Sequence, residues 1–136
     1  MADKIYPHFK KRMADGAIDL DNDTFMYALL KSTYTYAATQ RLWAGVSGDE
    51  ITASGYTAGG ATLTGVTWTR TGGTVTFNAT DIAWAAMTGT ARYGVIYDAT
   101  AASDPLVCLQ DFTSNKSVSS GTFTVIFNVS GIFTLA

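Results

Sequence analysis

Histidine and cysteine are almost missing from this 136-residue chain, which has one of each, and charged residues make up only 15% of it. Each shortage removes a class of function. His8, the single histidine, stands between Pro7 and Phe9 near the start, so a Ser-His-Asp site has no base in the body of the chain. Cys108, alone, closes no intrachain disulfide and builds no cysteine metal cluster. In the apolar run Leu106-Val107-Cys108-Leu109 it reads as a small buried thiol. Asp81, Asp98, Asp104 and Asp111 read as solvated turn formers rather than as the facing carboxylate pair of a glycosidase. No catalytic residue, cofactor or metal is assigned, and the expectation is a protein that is not an enzyme.

Two further absences concern partners. A net charge of -2 and a pI near 5.1 leave no basic face broad enough for nucleic acid. No apolar run reaches the roughly eighteen residues of a membrane span, and the opening MADKIYPHFKKRMADG carries charges where a signal peptide needs an apolar core. The expectation is assembly in a cytoplasm, with neither membrane nor nucleic acid as partner.

What takes the place of charge is Thr and Gly, beside a 47% hydrophobic share that suits one core and one domain. Charge is concentrated at the front: residues 1–50 hold six basic and seven acidic side chains, residues 51–136 only seven in all. Ile5, Phe9 and Met13 recur at helical spacing with Lys10, Lys11 and Arg12 between them and Gly16 as a stop, which predicts a short helix over Pro7 to Asp15. Residues 1–16 are therefore read as an arm and residues 17–136 as the main domain. Lys4, Lys10, Lys11 and Arg12 are its candidate contacts with an acidic partner, the alternative being a helix that only closes one end of the sandwich and keeps its charges in water; removing the arm should leave the domain folded.

Asp19, Asp21 and Asp23 alternate as in the first half of a calcium loop, but Thr24 stands where that loop needs Gly and Leu30 where it needs Glu. The stretch reads instead as a turn held by Asn22 and Asp23. Phe25 to Leu30 is apolar on both parities, the mark of a buried strand. Ser32 to Val46 is a long loop with one or two helical turns expected over Ala37 to Trp43; its Trp43 is read as an interface anchor or a lid over the core.

From Gly48 onward the sequence is a grammar of strands and turns. Ser54-Gly55 and Gly59-Gly60 make a corner where positive φ costs nothing. Thr62 to Arg70 then reads as a strand, Thr71-Gly72-Gly73-Thr74 as a hairpin turn, and Val75-Thr76-Phe77 as its return. Asp81 to Trp84 is a short extended piece broken by Met87-Thr88-Gly89, and Ala91 to Tyr97 a mid-sheet strand. Leu106 to Phe112 is another strand, Thr113 to Gly121 a flexible tip, Thr122 to Val129 an alternating strand with Phe123, Val125, Phe127 and Val129 on one side, and Ile132 to Leu135 the last strand after a turn at Ser130-Gly131. Phe25, Leu29, Phe77, Ile96, Leu109, Val125 and Phe127 are the expected core. About eight such strands without intervening helices predict an all-β, antiparallel two-sheet sandwich of jelly-roll kind.

The phrases AIDLDNDTFMYALL, SGYTAGGATL, TARYGVIYD and SSGTFTVIFNVSGIFTL, in this order, resemble a family of small head-associated structural proteins of tailed bacteriophages. The resemblance covers most of residues 16–136. It implies a capsid decoration, or cement, protein that binds the major capsid protein on the outside of the head and forms homo-oligomers there, a dimer before a trimer. The alternatives are a tail or head-fibre subunit and, from a different class, a carbohydrate-binding sandwich presenting Trp43, Trp68 or Trp84 as a flat platform.

Overall fold

In the computed structural model, which describes residues 4–135, the front of the chain forms a two-residue strand, β1 (Lys4–Ile5), and a helix, α1 (Pro7–Ala14). Residues 1–3 of the expected arm and residue 136 lie outside the described residues. Pro7 suits the first helical turn, where its missing N–H would have had no partner. Gly16, at φ 76, ends the helix in the left-handed region, as its place in the sequence predicts. The remaining strands are β2 (Phe25–Leu30), β3 (Ala61–Thr62), β4 (Thr67–Thr71), β5 (Thr74–Asn78), β6 (Ile82–Asp98), β7 (Leu106–Val125) and β8 (Phe133–Leu135). They build two antiparallel sheets, one ordered β1-β7-β6-β2-β3 and the other β4-β5-β8. This is the expected all-β sandwich with its short N-terminal helix.

Four strand boundaries differ from those the sequence predicts, the simplest being that the alternation expected to reach Val129 stops as a strand at Val125. Gly65, at φ 59, divides the expected Thr62–Arg70 strand, so that β3 ends in the first sheet and β4 begins in the second. Met87-Thr88-Gly89 does not end a strand: β6 runs on for 17 residues, absorbing register shifts on both sides of Met87, with Ala86 at φ 53. Nor is Thr113 to Gly121 a tip. It belongs to the 20-residue β7, whose Lys116, Ser117 and Val118 pair with Ala91, Thr90 and Gly89 of β6.

The strands apolar on both parities are explained by two cores, one on each face of the first sheet. Between the sheets lie Phe25, Leu29, Phe77, Ile96, Val125 and Phe127, all buried. On the opposite face Ala28, Leu30, Val95, Leu106 and Leu109 are covered by Tyr6 and by Tyr34 and Val46 of the loop after β2. Ser32 to Val46 is thus a third layer, tied down by Tyr34 Oη donating to Gln40 Oε1 at 2.5 Å and by Lys31 N donating to Asp49 O at 2.8 Å. Its helical turns come later than expected, as 3₁₀ turns at Trp43–Gly45 and Ser47–Asp49.

The arm is joined to this body. Lys4 and Ile5 pair with Leu109 and Cys108 at the edge of the first sheet. Tyr6 is fully buried and shares a 2.7 Å hydrogen bond between its hydroxyl and that of Tyr34. Phe9 is also fully buried, edge-on to Phe133 of the second sheet at 5.7 Å. The division at residue 16 therefore does not separate two packing units.

Candidate functional site: a basic groove at the helix

His8 and Arg12 are four residues apart on α1, so they occupy one face of the helix, with Lys11 beside them. Arg41 is brought opposite by the third layer: its carbonyl accepts from Leu106 N at 2.9 Å, and Leu42 bridges to Pro105. The turn between β6 and β7 closes the end with Ala102 and Ser103. Ser103 and Asp104 sit at φ 66 and 50, in the left-handed region that non-glycine residues adopt at a cost.

These elements enclose a hollow of about 350 Å³ lined by His8, Arg12, Arg41, Leu42, Ala102 and Ser103. A second, of about 470 Å³, continues it past Lys11 and Thr39 and shares His8 and Arg41 with it. No carboxylate lines either one. Burial, and then the charges of Arg12, Arg41 and Lys11, lower the His8 pKa, so the imidazole is neutral at pH 7. Lys11 is drawn to Asp15, Nζ to Oδ2 at 2.6 Å. Arg12 Nε is buried with no acceptor among the described residues. An anion entering the groove would meet two guanidinium groups and an unspent N–H donor.

The expected contact residues separate on this surface. Arg12 and Lys11 line the groove, whereas Lys10 is exposed outside it. Lys4 lies at the sheet edge with its Nζ 5.9 Å from the Tyr36 ring centroid. Trp43 is half-buried and stacks on Tyr97 at 4.6 Å with the planes 9° apart. His8, Arg41 and Ser103 join the groove without any sequence signal that marks them as contacts. All three tryptophans pack on other rings, Trp68 against Phe77 and Phe133, and Trp84 against Tyr27, Tyr56 and Phe123. The Asp19 to Asp23 stretch is a turn, held chiefly by Asp19, whose Oδ1 accepts from Asp21 N at 3.0 Å and Asn22 N at 3.3 Å. Asp23 contributes as expected, its Oδ2 accepting from Asp19 N at 3.1 Å.

A second ionisable feature is Asp98, fully buried at the end of β6 rather than solvated in a turn. Its Oδ1 accepts from Thr100 N and Ala101 N at 2.8 and 3.1 Å. Burial, reinforced by the facing Asp23 carboxyl, pushes its pKa up to about 7. The folded state therefore binds a proton that the unfolded chain releases near pH 4. Stability from this group is complete below about pH 4 and is lost as pH rises through about 7. Asp98→Asn, which can accept the same N–H bonds and donate to Asp23, is expected to flatten the dependence of melting temperature on pH between about 4 and 7. Melting curves across that range check it; an unchanged slope would remove Asp98 as its source.

Comparison of the chain with protein-family models, with curated proteins and with solved structures yields no match.

Proposed function

We propose that the chain is a structural protein of a tailed-phage virion, a decoration subunit that binds the major capsid protein on the outer surface of the head and stabilises the shell without catalysing a reaction. The observation that carries this reading is the basic groove: on a net acidic sandwich, Lys11, Arg12 and Arg41 gather around the neutral His8 where no carboxylate lines the wall. Such a groove fits an acidic segment of a partner. Cementing asks for rigid sheets and a contact of this kind, and the resemblance of the strand phrases to head-associated proteins points the same way.

The test is binding of the purified protein to bare heads. Arg12→Glu with Arg41→Glu is expected to weaken binding at least about tenfold, because each reversal turns an attraction into a repulsion in a partly desolvated contact. The wild-type affinity should fall as salt rises, and the variant should respond less. Both side chains reach the groove surface, so an unchanged circular dichroism spectrum separates a binding defect from misfolding. A folded variant that decorates heads as well as the wild type would remove the groove from the contact.

A further inference from the structure

The longest sheet edge among the described residues is also the least protected. β1 covers only Leu109 and Cys108 of β7, and from Gly121 to Val125 this strand pairs with β6 alone. The other edge strands are short: β1 and β3 have two residues each, β8 three, and β4 five including the charged Arg70. Sheet edges in monomeric proteins are usually blunted by charges, proline or brevity, since their free N–H and C=O groups invite pairing. Asp111 and Lys116 charge the earlier part of β7, but between Gly121 and Val125 none of these devices is used. Residues 117–135 contain no charged side chain, and neither do residues 82–91, the part of β6 that pairs with them.

The side chains along this edge alternate strictly. Phe123 and Val125 point into the core, while Thr122, Thr124 and Ile126 are turned outward, next to the exposed Ala83 that pairs with Thr124. Ile126 and Val129, the large hydrophobic residues most open to solvent at 76% and 97%, follow directly where the chain leaves the strand. The strand also bends around a trough of about 480 Å³ lined only by its own residues and Ile126, with Phe123 and Thr124 from the uncharged end and Asp111 and Lys116 from the earlier part of the strand.

We infer that this edge is the interface between two copies of the chain, with Thr122–Ile126 of one copy pairing antiparallel to the same segment of the other about a twofold axis through Thr124. A strand edge is complementary to itself under such an axis, and the first sheet would continue across it into a ten-stranded sheet, five from each copy. The absence of charge selects the partner. A second copy brings the same uncharged segment and meets no repulsion along it, and in this register the exposed Ile126 of each copy lies opposite Thr122 of the other. This inference is independent of the groove and of the proposed place on the head.

Sedimentation velocity across roughly 1–100 μM, the range in which a modest interface responds to mass action, tests it on the full chain. The wild type is expected to be a dimer at the upper end. Thr124→Lys, at an exposed position, sets two ammonium groups against each other at the axis and should raise the dimer dissociation constant at least about tenfold, with an unchanged circular dichroism spectrum. Thr124→Ser should stay dimeric. Thr124→Cys should give a disulfide-linked dimer on mild oxidation, since Cys108 is buried. A wild-type monomer at every concentration, a trimer, or a Thr124→Lys dimer as tight as the wild type would each overturn the proposal.

Discussion

A chain lacking residues 2–15 is expected to lose its cooperative fold, not to persist as a soluble sandwich. The deletion removes Tyr6 and Phe9, both fully buried and belonging to different cores. Deleting one large core aromatic typically costs about 3–5 kcal/mol, and a domain of this size has about 5–15 kcal/mol in total. The two losses alone approach that reserve. The β1–β7 pairing, the bond from Tyr6 N to Val107 O at 3.0 Å and the Tyr6–Tyr34 hydroxyl pair go with them. Urea unfolding followed by circular dichroism measures the outcome. A truncated chain whose transition stays cooperative, within about 1 kcal/mol of the full chain, would show that the packing of Tyr6 and Phe9 contributes little.

Phe77→Ala is expected to cost about 3–5 kcal/mol. Phe77 is where the two sheets meet: its ring lies 5.7 Å from Phe25 of the first sheet, 5.1 Å from Phe133 and 4.9 Å from Trp68 of the second. Removing the ring opens a cavity walled by aromatic rings from both sheets, which cannot all move to fill it. Phe77→Leu, which keeps most of the volume, should cost less than half as much. Phe127→Ala, next to Tyr27 at 5.7 Å, belongs to the same class. Urea midpoints at constant slope give the values; a loss below about 1 kcal/mol for Phe77→Ala would mean that the sheets do not pack through this residue.

Strands whose burial is written in their side chains are legible in the sequence. Phe25 to Leu30 is buried on nearly every residue of both parities, and Thr71-Gly72-Gly73-Thr74 is a two-residue hairpin turn with Thr71 paired to Thr74. The stretch of β7 from Thr113 to Ser120 is not legible, because its side chains are almost all exposed, so that backbone pairing with β6 suffices and leaves them free to be Ser, Thr and Asn. The break after β3 is hidden because one glycine at φ 59 among Thr and Val looks like any strand residue.

The candidate site is half visible for a similar reason. Lys11 and Arg12 stand together on the helix, but no local spacing links them to Arg41, which only the third layer carries to their side. Tyr6 gives no signal because it falls outside the Ile5, Phe9, Met13 stripe. It faces the second core, which a division of the chain into arm and domain conceals.

The most direct measurement of the central claim is where the chain resides in the virus particle. Virions separated into heads and tails and probed by quantitative mass spectrometry should show the chain on heads, in a fixed ratio to the major capsid protein, and released from them by high salt. Its presence on tails alone, or its absence from washed virions, would contradict the account.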